Sequence, residues 1–574
     1  MTTNFIKVAS LFFILLTILS CNSSPKEQAD LIVHNAKIYT VNDLFDVADA
    51  MAIKDGKIIA IGPENEILNK YQFDAKEIID AGKKPIYPGF IDAHCHFVGY
   101  AQNLKQVNLV GTKSFEEVIK RVEAYAKNNN TEWIIGRGWD QNDWENKAFP
   151  TKDELDKLFP NKPVFLTRID GHAALANQAA FNIAKITPDT KVEGGIITYQ
   201  IEQNGNNIEF GNNELPNYKN GNPKATGILI DNAIELVSQH IPYPTKKELT
   251  EALLFAQHKL FEVGVTTVDD AGLSKDTIDL IDNLHQQDKL KLKVYAMITG
   301  DTTNLNHYLK KGPYKTDRLS VCSFKFYADG ALGSRGACLL HPYSDVSPAH
   351  YGLLIKDKSF FEKYAPQLYE KGFQMNTHCI GDSANRMILD VYAQVLKGVN
   401  DKRWRIEHAQ IVNGSDVTKF KDFTIIPSIQ STHATSDMYW AEERLGKERI
   451  EEAYAYKILL QQNGMVALGT DFPVEGISPF ATFYSAVVRK DAKGYPEDGF
   501  QTNNALSRKE ALKGMTIWAA ISNFEENEKG SLEVGKAADF IILNNDLITS
   551  PEDKILSTQV VQTFIDGEIV FTKK

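Results

Sequence analysis

The sequence predicts an α/β fold, a (β/α)8 TIM barrel accompanied by a β-domain formed by both ends of the chain. Eight short apolar runs lie between residues 89 and 471, and helical segments separate them, which is typical of a parallel sheet buried on both faces. The two ends instead contain short strands punctuated by Gly, Asn and Asp. The chain therefore combines a large barrel with a smaller sheet domain.

The composition is that of a soluble globular protein. The chain has 574 residues, of which 43% are apolar, and it carries a net charge of -11. It has no basic run, and its sequence pI is about 5.7. These properties argue against a nucleic-acid partner.

The N-terminus, "FIKVASLFFILLTILSCNSSPKEQ", has the pattern of a bacterial lipoprotein signal over residues 1–21. Its apolar stretch is too short for a comfortable membrane span, and Cys21 stands where that stretch stops. Residues 18–20 resemble a lipobox, although Leu19 is bulkier than is usual there. An ordinary secretory signal or a short anchor helix is the alternative. We predict an exported, lipid-anchored protein of the periplasm or cell envelope, with residues 22–29 as a linker.

The β-domain is predicted to comprise residues 30–88 and 525–574. Its strands are expected in "ADLIVHNAKIYTVND" and "VADAMAIKDGKIIAIGP" at one end and in "GSLEVGKAADFIILNND" and "VVQTFIDGEIVFTKK" at the other. Because the two ends share one style of strand and turn, we expect them to form a single domain.

The barrel is predicted over residues 89–524, with a large insertion at about 105–245 between the first two strands. Its strands are expected in "GFIDAHCHF", "GVTTVDDAG", "LKVYAMITG", "SFKFYADG", "FQMNTH", "RWRIEHA", "TIIPSIQ" and "MVALGTD". Capping boxes that pair Ser114 with Glu117, Thr245 with Glu248 and Ser507 with Glu510 mark helix starts. Within the insertion, an Asn- and Gly-rich stretch at 199–227 is either a flap over the barrel mouth or a solvated hairpin.

Polar residues follow the predicted strands at the end where such barrels carry their active sites. His94 and His96 are two positions apart on the first strand, so their side chains leave it on the same face. The others are Lys325, His378, His408 and Asp471, on the fourth, fifth, sixth and eighth strands. Any one of them could be structural. Nitrogen and oxygen atoms that converge in an apolar setting need a cation or many partners, so the set indicates a metal site.

The chain resembles the amidohydrolase superfamily, and within it the N-substituted formamide deformylase-like branch (amidohydrolase family 3). The resemblance covers about residue 30 to the C-terminus and rests on motifs in the family's order. They are "PGFIDAHCH", "GWDQNDW", "DGHAALAN", "KFYADGALGSRGA", "THCIGDSA", "RIEHAQ", "STHATSDMYWAEERLG", "LGTDFPVE" and "GKAADFIIL". It implies a metal-dependent hydrolase whose terminal segments form a composite β-sandwich.

The resemblance also implies a division of roles among the candidate ligands. His94, His96 and Asp471 would bind a first divalent metal and His378 and His408 a second, with zinc the expected ion. Lys325, carboxylated by CO2, would bridge the two, since only a carbamate gives lysine an anionic oxygen pair. A metal-activated hydroxide would then attack the carbon of a C–N bond in an N-substituted formamide or related amide, with Asp471 transferring the proton.

Further residues of these motifs are expected to border the substrate. His172 and His433 could hydrogen-bond the carbonyl or the oxyanion, and Trp139, Trp144 and Trp440 could line an apolar pocket. A histidine that caps a loop and aromatic rings that only pack are the structural alternatives.

Two rival functions stay open. One is deamination, or opening of a cyclic amide, on the same barrel. Mononuclear deaminases of the superfamily usually have a glutamate soon after the histidine of the fifth strand, whereas here His378 is followed by Cys379, Ile380, Gly381 and Asp382. This difference, together with Lys325, favours the dinuclear amide hydrolase. The other is a non-catalytic, lipid-anchored binding protein, which would not need a complete ligand set. The expected partners are a small-molecule amide and, through the lipid anchor alone, a membrane; a homodimer is left open.

The lipid anchor is testable by fractionation. The variant Cys21→Ser should lose membrane association when it is expressed in a bacterial host, because serine lacks the thiol to which the lipid would attach. Equal membrane association of the variant and the unaltered protein would remove the lipid-anchor interpretation.

Overall fold

The computed structural model describes residues 28–203, 206–211 and 223–574, and it confirms the predicted barrel. Eight strands pair in parallel, each with the next along the chain. They are β1 (Phe90–Cys95), β2 (Val265–Leu273), β3 (Lys293–Thr299), β4 (Leu319–Tyr327), β5 (Gln374–Cys379), β6 (Arg405–His408), β7 (Ile426–Ile429) and β8 (Ala467–Leu468). A short strand, Tyr314–Lys315, is added antiparallel to β4.

The last barrel strand meets the first at a close backbone approach. A Cβ atom on Gly469 would lie 2.4 Å from the backbone nitrogen of His94, so only glycine is accommodated there. Two residues later the backbone N–H of Asp471 donates to the carbonyl of His94 at 2.7 Å. The buried Asp92 carboxylate accepts from both the backbone N–H and the hydroxyl of Thr470, at 2.9 and 2.7 Å. These contacts bring Asp471 beside His94.

The barrel helices alternate with the strands, and two of them begin at caps that the sequence predicts. They cover Phe97–Asn103, Lys246–Glu262, Lys275–Gln286, Thr302–Lys311, Lys358–Lys371, Asp382–Leu396, Thr418–Asp422, Ser431–Asp437, Ala441–Arg449, Tyr456–Asn463, Pro479–Val488, Arg508–Gly514 and Ile517–Ser522. Thr245 and Ser507 form complete capping boxes. Ser114 also caps its helix, but the Glu117 side chain accepts from the backbone N–H of Lys113, one residue earlier than the box requires.

The two ends of the chain form a composite β-sandwich. Its four-stranded sheet consists of Leu31–His34, Ala50–Lys54, Lys57–Gly62 and Glu77–Asp80. Its six-stranded sheet consists of Lys37–Tyr39, Val47–Ala48, Pro85–Pro88, Phe540–Leu543, Val560–Ile565 and Glu568–Thr572. Buried residues of both sheets share one core, in which the Phe540 and Phe564 rings stack with centroids 4.1 Å apart. The C-terminal strands thus complete a sheet begun by the N-terminal ones. Two further helices, Glu64–Tyr71 and Glu552–Ile555, lie in these segments.

A seven-stranded sheet lies between β1 and β2 in sequence. Its strands are Val107–Asn108, Ile134–Trp139, Val164–Arg168, Ala173–Ala176, Gly195–Gln203, Asn206–Gly211 and Lys224–Asp231, with helices Phe115–Asn128, Asp153–Leu158, Gln178–Ala184 and Glu235–Ser238. We call it the inserted sheet. The strands Gly195–Gln203 and Asn206–Gly211 pair as a hairpin, which forms one edge of this sheet. The Asn- and Gly-rich stretch starts within the first of these two strands.

The predicted signal segment and Cys21 lie outside the described residues, so the lipid anchor stays a prediction. Among the residues that the structure describes, no helix has the length and apolar character needed to cross a membrane.

Candidate metal centre

A cavity of about 450 Å³ opens at the C-terminal end of the barrel strands. Its wall includes most of the residues that the sequence singles out, namely His96, His172, Lys325, His378, His408, His433, Trp440 and Asp471. The inserted sheet contributes a second part of the wall through Arg137 and Arg168. The candidate site is therefore shared between the barrel mouth and the inserted sheet.

His94 is oriented by a buried carboxylate. Its Nδ1 lies 2.5 Å from Oε2 of Glu407, and neither side chain is exposed to solvent. Because Glu407 engages Nδ1, the Nε2 atom of His94 carries the lone pair, and this atom faces Lys325 and Asp471. Burial lowers the pKa of His94 to about 4, which favours the neutral imidazole that a metal requires.

Asp471 is the residue on which the histidines converge. Its Oδ1 lies 3.2 Å from Nε2 of His96 and 3.7 Å from Nε2 of His94, and its Oδ2 lies 3.2 Å from Nε2 of His433. Burial alone would raise the pKa of Asp471, but contacts with His433 and His96 hold it well below its ordinary value. The carboxylate is thus anionic and surrounded by imidazoles.

Two sets of three potential ligands share this carboxylate. One set is His94, His96 and Asp471, and the other is His408, His433 and Asp471; in each, the ligand atoms lie within 4.8 Å of one another. The first set coincides with the ligands predicted for one metal. The second includes His433, which the sequence suggested as a substrate contact, and it does not include His378.

The buried histidines beside Asp471 suit a divalent cation. The Nδ1 atoms of His378 and His408 are both buried and have no hydrogen-bond partner among the described residues. Burial lowers the pKa of both side chains well below the ordinary value, so each presents a neutral imidazole. Unpartnered, neutral nitrogens next to an anionic carboxylate are the donor set that zinc and related metals bind.

His378 belongs to neither of these two sets. Its ring packs against His408, with centroids 4.5 Å apart, and against His172, at 5.0 Å. The Nδ1 of His172 contacts Oδ1 of Asp231 at 2.7 Å, and Asp231 ends a strand of the inserted sheet. His172 therefore borders the cavity as expected, and it is positioned by a carboxylate outside the barrel.

Lys325 is 1% exposed and points into the cavity from β4. Its Nζ lies 3.1 Å from Nε2 of His94, and burial lowers the pKa of this amine to about 8. The alternative ion pair with Asp329 is not formed. The Asp329 carboxylate instead accepts from the backbone N–H groups of Ile380 and Gly381, at 3.0 and 2.8 Å.

Two candidate ligands have backbone conformations that residues other than glycine rarely adopt. His408 has a φ of 71° and Asp471 a φ of 62°, both in the left-handed region. Such conformations persist when the surroundings fix them; here His408 ends β6, and Asp471 lies three residues beyond the end of β8. Both residues line the cavity.

The tryptophans divide between the cavity and the core. Trp440 lines the cavity, in agreement with the prediction. Trp139 and Trp144 lie instead in the core of the inserted sheet, where their indole N–H groups donate to the carbonyls of Leu166 and Thr112. Trp139 ends a buried strand rather than lying in an exposed loop, so these two rings pack the sheet and do not form the pocket wall.

Two carboxylates of the site are absent from the sequence prediction. Glu407 precedes the candidate ligand His408, and its two-residue spacing from Arg405 on a buried strand is the signal that could have revealed it. Glu475 lies 3.1 Å from Nδ1 of His433 and belongs to the motif that contains Asp471. Both hold the far nitrogen of a histidine whose other nitrogen faces Asp471.

Glu407 should govern metal affinity without touching the metal. We expect Glu407→Gln to weaken zinc binding by about 10- to 100-fold, because His94 loses the charge that orients it and raises its basicity. Competition against a chromogenic chelator measures this affinity. The matched control is Glu525→Gln, a buried glutamate paired with Lys529 away from the cavity, which should leave zinc affinity unchanged. Equal zinc affinity in Glu407→Gln and the unaltered protein would contradict the assignment.

The sequence pattern of the Amidohydrolase family matches residues 77–571. Three relatives extend over nearly the whole chain. "Protein LONG AFTER FAR-RED 3" of Arabidopsis thaliana is 33% identical, with 95% of this chain and 92% of that protein covered. "Putative amidohydrolase YtcJ" of Bacillus subtilis is 28% identical over 94% and 99% of the respective chains. "N-substituted formamide deformylase" of Arthrobacter pascens is 25% identical over 95% and 99%.

Two solved structures of metal-dependent hydrolases also resemble this chain over most of its length. An uncharacterized metal-dependent hydrolase from Pyrococcus horikoshii superimposes with a TM-score of 0.71 at 26% identity, covering 91% of this chain and 99% of that one. A second such hydrolase, from Pyrococcus furiosus, gives a TM-score of 0.69 at 26% identity, covering 90% of this chain and 100% of that one. The match thus includes the barrel, the inserted sheet and the sandwich together. The chain belongs to the amidohydrolase family and is a hydrolase.

Proposed function

We propose that this protein hydrolyses the C–N bond of an N-substituted formamide or a related amide in a metal-dependent reaction. The observation that carries the proposal is the convergence of His94, His96, His408 and His433 on the buried Asp471 carboxylate. The similarity to N-substituted formamide deformylase over nearly the whole chain supports the choice of amide over other C–N substrates.

A divalent metal in this site would polarise the substrate carbonyl and lower the pKa of water toward about 7. The chain supplies the proton transfer. Asp471 is anionic and lies at the centre of the site, so it accepts a proton from the attacking water and returns it to the departing nitrogen as the C–N bond breaks. An uncharged amide needs both functions, because it is a weak electrophile with a poor leaving group.

Lys325 is proposed to carry a carboxyl group. Burial lowers the pKa of its amine to about 8, so a substantial neutral fraction is present near neutrality. A neutral amine can add to CO2, forming an N–C bond and releasing one proton, which gives an anionic carbamate. An ammonium beside two cations would be strongly disfavoured, whereas a carbamate would bind both, so the modification favours two zinc ions.

The reaction class is tested by a substrate screen. Metal-loaded protein is incubated with N-formyl, N-acyl and cyclic amides, and a panel of aminated heterocycles is run beside them. Release of an amine from the acyclic amides supports the proposal. Ammonia from the heterocycles, or ring opening alone, would replace it with the deaminase or cyclic amidase, and binding without turnover would indicate a binding protein.

Removal of the Lys325 amine should abolish turnover in a way that a small carboxylate reverses. We expect Lys325→Ala to be inactive and to regain part of its activity in formate or acetate, because either anion can take the place of the carbamate. Crystals of the metal-loaded protein should show two metals and extra density on the Lys325 amine.

The control for this rescue is sodium chloride at the same concentration, which should restore little activity because chloride lacks the pair of oxygen atoms that would take the place of the carbamate. Full activity in Lys325→Arg, or one tight metal beside an unmodified lysine, would contradict the dinuclear site. The mononuclear site would then take its place.

Asp471 should matter more for turnover than for metal retention. We expect Asp471→Asn to lower kcat by about 10²- to 10⁴-fold, because the amide cannot carry the proton, while most of the metal stays bound. Metal content is measured on the same preparation as kcat. Asp390→Asn, a partly exposed aspartate paired with Lys419, should match the unaltered protein in both measurements. Near-normal kcat in metal-replete Asp471→Asn would count against the assignment.

A further inference from the structure

Arg137 is a partly buried cation of the cavity wall, and it forms no ion pair with a carboxylate of the described residues. It lies on the strand Ile134–Trp139 of the inserted sheet, and its Nη2 donates to the carbonyl of Ile169 at 2.7 Å. Its Nε is buried with no partner, and its Nη1 has no hydrogen bond to any described residue. The guanidinium lies against Gly171, where a Cβ would come within 3.3 Å of Nη1.

Three buried arginines near this site have carboxylate partners. Arg168 pairs with Asp140 and Asp170, Arg405 with Asp269, and Arg444 with Asp345. The negative charges that act most on Arg137 belong to Asp170 and Asp471, and both are engaged elsewhere, by Arg168 and by the histidines. A partly buried guanidinium, whose buried Nε has no partner among the described residues, would gain from an anion, so its place in the cavity wall indicates an anionic ligand.

Arg137 also marks the junction of two chambers. A second cavity of about 540 Å³ adjoins the first and shares Arg137, Asn103, Trp440, Pro473 and Val474 with it. The rest of its wall includes the apolar side chains of Tyr100, Leu104, Val107, Val110 and Ile477. Leu104 and Val110 are 40% and 54% exposed, which leaves apolar surface open to a ligand.

We propose that Arg137 binds a carboxylate of the substrate, which makes the substrate an amide that carries both a carboxylate and an apolar group, such as an N-acylated apolar amino acid. This rests on the proposed amide hydrolysis. The amide would lie among the histidines that surround Asp471. The carboxylate would lie at Arg137, and the apolar group would lie in the second chamber. A planar guanidinium matches a carboxylate in shape, and the single charge is favoured over a phosphate because Asp170 and Asp471 would repel a dianion.

Matched substrates isolate the role of the charge. N-formyl-phenylalanine is compared with N-formyl-phenylalaninol, which has the same amide and ring but no carboxylate. We expect kcat/KM to favour the acid by about 10- to 100-fold, the range of a charge-assisted hydrogen bond. Arg137→Gln should abolish this preference by lowering kcat/KM for the acid alone, and Arg137→Lys should keep part of it. Arg386→Gln, which alters an arginine paired with Asp416 on the barrel exterior, should keep the whole preference.

Binding of an inert analogue separates this proposal from the proposed reaction. N-methanesulfonyl-phenylalanine and its alcohol cannot be hydrolysed as amides, and calorimetry should show the same preference for the acid and the same loss in Arg137→Gln. If no amide is cleaved but this preference is found, the reaction is wrong and the carboxylate site stands. Equal binding of acid and alcohol by the unaltered protein, or an equal loss for both in Arg137→Gln, would overturn the carboxylate site.

Discussion

Pairing of buried charge inside the barrel is the constraint on which the candidate site depends. Asp269, Arg405 and Glu407 are fully buried, with Nη1 of Arg405 3.0 Å from Oδ2 of Asp269 and 3.9 Å from Oε1 of Glu407. An isolated ion in such an interior costs several kcal/mol, so each of these groups needs the next. These contacts continue from Glu407 to His94. The orientation of His94, a candidate metal ligand, therefore depends on the buried charges of Asp269, Arg405 and Glu407.

The same constraint explains why Asp471 is shared. One of its oxygens faces His96 and the other faces His433, so a single carboxylate serves histidines on two sides. A second metal needs additional negative charge, and unmodified Lys325 would add positive charge instead. In the proposed site the number of metals and the chemical state of Lys325 are linked, because a carbamate on Lys325 would supply the anion that a second cation requires.

The sequence predicted those features that depend on local periodicity. His94, His96 and Asp471 were identifiable because they follow apolar runs at the end where barrel strands meet, and the structure brings them together. Glu407 was not, because its contact with His94 joins residues 313 positions apart and depends on how β1 faces β6 across the barrel. Trp139 was misjudged for a related reason: the inserted sheet, whose strand pairing the motifs do not reveal, buries it.

In the proposed reaction, the barrel supplies the residues of the chemical step, and the inserted sheet supplies residues that select the substrate. The groups that converge on Asp471 all come from the barrel and its loops, and their positions are fixed by strand pairing and buried charge. Arg137 and His172 come from the inserted sheet, which borders the same cavity but packs around its own core. Arg137 belongs to neither set of potential ligands, so it can change without removing a group that converges on Asp471. Relatives that keep the barrel motifs and differ at Arg137 would then share a reaction while acting on different amides, so the inserted sheet is where substrate preference should be sought.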